Sequence, residues 1–135
     1  MVSQILWILA SLILLLLGAA HLYYTFFTNR FSIRNKEVEE GMKNTFTVLT
    51  ARTTVWKAWI GFNASHSLCA IYMALINMLF AVEYYAWLKE SVSIKSLTLV
   101  SAFFLLYLGK RYWFNIPFTG ILISCICYTF ALFLM

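Results

Sequence analysis

The chain has no aspartate, one proline and five glutamates, and residues of either charge make up 11% of its 135 positions. A water-soluble domain carries about 25% charged residues, so too little charge is present here to clothe a globule in water. With 63% of its residues hydrophobic, the chain fits lipid as its solvent. Glu37, Glu39, Glu40, Glu83 and Glu90 all fall in loops or at the ends of apolar runs. No buried acid is therefore at hand for a Ser-His-acid triad or for a proton path.

Cysteine is equally uninformative as a scaffold. Cys69, Cys125 and Cys127 are odd in number, and all lie within apolar runs, which argues against a disulfide framework. They are expected to be small buried packing residues. Two histidines without carboxylates or clustered thiolates fall short of a zinc or di-iron set, so no dedicated metal site is expected. The net charge of +5 does not mark a nucleic-acid surface, because no basic run with interleaved aromatics stands clear of the apolar segments.

Four apolar stretches account for most of the length. They are expected to span the membrane at about residues 4–27, 58–82, 92–112 and 116–135, each near the roughly 20 residues a spanning helix needs. Lys95 lies early in the third stretch and is expected to snorkel outward. The first stretch is not expected to be a cleaved signal: no Lys or Arg precedes it, and it runs on past Gly18-Ala19-Ala20. Arg30, Arg34, Lys36, Lys43, Arg52 and Lys57 lie in or beside the first loop, and Lys110 and Arg111 in the third, against only Lys89 and Lys95 in the second. That bias places loops one and three on the cytoplasmic side and both termini outside. The expected fold is all-α, an up-down-up-down four-helix membrane bundle forming a single domain over residues 1–135.

Between the first two spans, residues 35–50 read as an amphipathic helix on the cytoplasmic membrane surface. Asn35 suits its N-cap, Glu37, Glu39 and Glu40 suit its first turn, and Val38, Met42, Phe46 and Leu49 repeat at three to four residues. Tyr23, Tyr24, Trp56, Trp59, Tyr84, Tyr85, Trp87, Tyr112 and Trp113 cluster where span ends fall, as interfacial aromatic belts do.

Inside the spans the titratable residues that stand out are His21 and His66. An ionisable group at membrane depth is by default a functional-site hypothesis. Gln4, Trp7, Ser11, Gly18, His21 and Thr25 repeat on one face of the first span. Trp59, Asn63, His66, Ala70, Met73 and Asn77 do so on the second. Polar and small residues turn toward neighbouring helices in lipid, so these faces are expected to meet. At the helical rise, His21 lies about 9 Å and His66 about 13 Å from the same side, within one or two turns of each other.

Three readings are open. The first is a pocket for a small apolar or lipid-like ligand, contacted by His21, Tyr24, Thr25, Trp59, Asn63, His66 and Ser67. In the second, the chain is a structural or accessory subunit whose histidine pair only fixes helix packing, each such bond stabilising by about 0.6 kcal/mol. In the third, His21 and His66 are axial ligands of a haem b in an electron-transfer protein.

Several segments also carry a likeness. Gly18 through His21-Leu22, Tyr24-Thr25-Phe26-Phe27, the run Trp56 to Ser67 and Tyr112-Trp113-Phe114-Asn115-Ile116-Pro117-Phe118 with Gly120 resemble the signatures of an uncharacterised family of small four-span bacterial membrane proteins. Cys69 and Ala70 stand where that family would be expected to have a nearby glycine. The resemblance implies a bacterial cytoplasmic (inner) membrane protein, and it implies no activity and no cofactor.

Overall fold

The structure, a computed structural model, describes every residue from Met1 to Met135. Its elements run α1 (Val2–Phe27), α2 (Lys36–Asn44), β1 (Phe46–Thr47), β2 (Thr50–Thr54), α3 (Val55–Glu83), α4 (Tyr85–Glu90), α5 (Val92–Tyr112) and α6 (Asn115–Phe133). Helices α1, α3, α5 and α6 are long and apolar enough to cross a membrane. None is interrupted, because the single proline, Pro117, sits in the first turn of α6, where its missing N–H costs nothing. Ser91 caps α5 by accepting from the Ile94 N–H, and Lys110 and Arg111 in the last turn of α5 complement its negative end.

The segment between α1 and α3 differs from the expected helix over 35–50. Asn35 does cap α2, its side chain accepting from the Glu37 and Val38 N–H groups, but the helix ends at Asn44. Beyond it, β1 and β2 pair antiparallel, with a register irregularity after Phe46. Thr45, Thr47, Val48, Thr50, Thr53 and Thr54 are β-branched, and that density favours extended backbone over another helical turn. The anticipated apolar stripe breaks up accordingly: Leu49 sits at the hairpin turn and is 93% exposed.

Contacts divide the chain into two compact units, one of Met1–Leu17 with Ala70–Met135, the other Gly18–Cys69. In the first, small residues let helices come close: Ala10, Ala74, Ala81, Ala102 and Ala131 are fully buried. Gly109 faces the Phe118 backbone of α6, and Gly120 faces the Leu17 side chain of α1. Trp7 lies edge-on to Tyr128 with ring centroids 4.7 Å apart. Polar groups in this core are paired. The Ser11 hydroxyl donates to the Trp7 carbonyl, so the bond between Ser11 and Tyr128 at 2.9 Å must run from the tyrosine to the serine. Ser124 donates to the Ala10 carbonyl, and Gln4 to that of Ala81.

Outward faces of the same helices are aliphatic and aromatic, with Leu16, Val100 and Phe104 all at least 60% exposed. Cys69 joins them. Expected to be buried, it is exposed, whereas Cys125 is buried and Cys127 half-buried. It follows buried Ser67 by two positions and so falls on the other side of α3, beside exposed Leu68 and Tyr72.

Candidate functional site around His21

The unit Gly18–Cys69 contains the last turns of α1 and the first half of α3, and these place His21, Asn63 and His66 together. His21 Nε2 lies 3.0 Å from Asn63 Oδ1. The rings of His21 and His66 lie nearly at right angles, their centroids 5.6 Å apart.

The orientation of Asn63 fixes the polarity of this cluster. Its Nδ2 donates to the Trp59 carbonyl, one helical turn back, at 2.8 Å. Turning the amide over would set two oxygens face to face there, so Oδ1 is the atom presented to His21. An amide oxygen only accepts. A neutral His21 therefore carries its proton on Nε2, and Nδ1 holds a lone pair. Nδ1 makes no hydrogen bond within the protein, and no buried side-chain N or O lacks a partner, so this lone pair lies at an accessible edge of the half-buried ring.

Around it the remaining hydroxyls are spent. Thr25 donates to the His21 carbonyl and Ser67 to the Asn63 carbonyl, both at 2.8 Å and both buried. Such bonds to the carbonyl of the preceding turn satisfy a hydroxyl without exposing it. Trp59 is exposed, and its Nε1–H donates to the Phe31 carbonyl at 3.3 Å. That bond ties the chain after α1 to α3 and holds Phe31, whose ring centroid is 4.5 Å from that of His21. Phe62 stacks nearly parallel to His66 with ring centroids 6.3 Å apart.

Among the residues expected to form the site, His21, Asn63 and His66 come together, with Thr25 and Ser67 bonded to the backbone carbonyls of two of them. Trp59 acts through Asn63 and Phe31. Tyr24 does not join: its ring contacts are Tyr23 and the Arg30 guanidinium, 4.9 Å from its centroid. Phe31 and Phe62 were not anticipated as walls. The one available signal for Phe31 was an aromatic residue standing alone in the polar loop Asn29-Arg30-Phe31-Ser32.

Other chemistries are constrained by the same contacts. Ligation of a haem iron through His21 Nε2 would require breaking the bond to Asn63. No three His, Cys, Asp or Glu side chains converge as a metal set. An open groove lined by Phe103, Leu106, Leu122 and Phe130 is apolar. The Thr129 hydroxyl beside it is spent on the Cys125 carbonyl, which leaves little there to orient a ligand.

No protein-family model, no curated protein and no solved structure matches the chain.

Proposed function

We propose that this is an integral membrane protein that binds a small apolar or lipid-like ligand against His21, with His66 and Phe31 contributing to the contact surface and buried Asn63 holding His21 from behind. The observation that carries the reading is the uneven use of His21: Nε2 is held by an oriented amide, and Nδ1 is left accessible. Aromatic walls with few convergent polar atoms are the usual make-up of a small-molecule site.

Membrane insertion is supported by the four apolar helices and by their exposed apolar faces. In this reading they cross the bilayer in alternating directions, loops one and three are cytoplasmic by their Lys and Arg content, and both ends of the chain face outward. Membership in the small four-span bacterial family, and with it an inner-membrane location, belongs to the same proposal. Alkaline extraction of membranes should leave the protein in the pellet, and reporter fusions after residues 40 and 110 should report the cytoplasm.

The test of binding is mass spectrometry of organic extracts from protein purified in mild detergent, compared between wild type and His21→Ala. A molecule enriched with wild type and depleted in the variant supports the proposal. Identical extracts from equally folded samples would leave the histidines as packing residues.

A further inference from the structure

We infer that the ligand of this site is an apolar molecule bearing a hydrogen-bond donor, a hydroxyl or an N–H, and that His21 Nδ1 accepts it. This deepens the proposed function and rests on it. Asn63 Nδ2 is engaged by the Trp59 carbonyl, the Trp59 indole N–H by the Phe31 carbonyl, and the Thr25 and Ser67 hydroxyls by carbonyls of their own helices. The His21 Nε2–H is engaged by Asn63 Oδ1. Each of these donors is thus engaged within the protein, and Asn63, Thr25 and Ser67 are themselves buried. What a neutral His21 presents outward is a lone pair.

The consequence is discrimination by hydrogen-bond sense. A ketone, ester or ether oxygen brought to Nδ1 would set acceptor against acceptor. A hydroxyl at the same place completes a bond. A site built to pair a polar group rejects an analogue that lacks it, because its own group is then left unpaired in a poorly solvated place. The rings of Phe31 and His66, with centroids 4.5 and 5.6 Å from that of His21, leave the ligand's apolar body to be held by contact.

The experiment compares two photoreactive probes of matched length, a long-chain primary alcohol and its methyl ether, on full-length protein in mild detergent. Wild type is expected to retain the alcohol about five- to tenfold better than the ether, the worth of one hydrogen bond. His21→Phe keeps a ring beside Phe31 and His66 but removes both nitrogens, and should bind the two probes equally. Asn63→Leu keeps His21 but frees its tautomer, so the ether should gain and the ratio should narrow toward one. Circular dichroism of each variant establishes folding, and Asn63→Leu reports independently should His21→Phe not fold. Equal retention of both probes by wild type, at levels that exceed those of His21→Phe, would overturn the donor requirement and leave ligand binding standing. Failure of wild type to retain either probe above the variants would overturn both.

Discussion

Asn63 and Asn77 hold their side chains in the same way: each donates through Nδ2 to the carbonyl of the preceding turn, that of Trp59 or of Met73, and turns Oδ1 toward a ring N–H on α1. The N–H belongs to His21 for Asn63 and to Trp7 for Asn77. What differs is the other side of the partner. Trp7 has a single polar atom and is fully buried, and the Thr98 hydroxyl takes the second lone pair of Asn77 at 2.8 Å. His21 is half-buried and has a second nitrogen. One arrangement is closed and joins helices, while the other is left open.

That contrast separates the effects of removing each amide. Asn77→Ala leaves the Trp7 N–H and the Thr98 hydroxyl without their acceptor, and should destabilise by about 1–2 kcal/mol. Thermal unfolding in detergent would show a lowered midpoint, with ligand retention intact below it. Asn63→Ala should cost less stability and more ligand. Equal effects of the two substitutions on both readouts would erase the distinction.

Close approach at Gly120 makes a second test. A Cβ there would meet Leu17 Cδ1 at 2.8 Å. Because that atom is the far end of a flexible side chain, Gly120→Ala should be nearly neutral, the helix preference of alanine offsetting the shift of Leu17. Gly120→Leu cannot be absorbed in this way and should cost about 1–3 kcal/mol, part of it recovered in the double variant with Leu17→Ala. Unfolding midpoints of the three variants would decide it.

Much of this was legible in the sequence. Long apolar runs without proline dictate helices. The three-and-four spacing of His21 with Thr25, and of Asn63 with His66, places each pair on one face of its helix. The hairpin was not legible, because Val38, Met42, Phe46 and Leu49 mimic a helical period while the β-branched residues between them decide the backbone. Neither was the choice between two tautomers of His21. It depends on the Trp59 carbonyl fixing an amide, a backbone contact that residue types alone do not reveal. Tyr24 has the right spacing and chemistry for the site, but its ring is taken up by Arg30.

A pH dependence is expected in α2. Lys43, at 2.7 Å, holds the Glu39 carboxyl below the ordinary value of 4.5, with Lys36 adding to the effect and burial opposing it. The same pairing, joined by Glu40, raises Lys43 above 10.5. A depressed carboxyl contributes stability that is complete above 4.5 and is lost as pH falls through its lower folded value. A raised amine contributes below 10.5 and loses its share as pH rises through its higher one. Amide exchange in Lys36–Asn44, corrected for intrinsic rates, should thus be slowest between these limits and rise in acid. In Glu39→Gln the acid limb should flatten.

The start of the same helix depends on Asn35. Its side chain accepts from two N–H groups, and Asn35→Ala should cost about 1 kcal/mol of local helix stability. Faster exchange at Glu37 and Val38, with the four long helices unchanged, is the expected signature. Unaltered exchange at both would show that the cap contributes nothing.

The most direct measurement is to crosslink the photoreactive alcohol to the protein in native membranes and map the labelled residues by mass spectrometry. Labels should concentrate on Phe31, Phe62 and the His21 and His66 segments, and should be competed away by unlabelled long-chain alcohol. Labels spread evenly over exposed aliphatic positions such as Leu16, Val100 and Phe104, with no competition, would mean that the probe sees only a lipid-facing surface and that His21 guards no binding site.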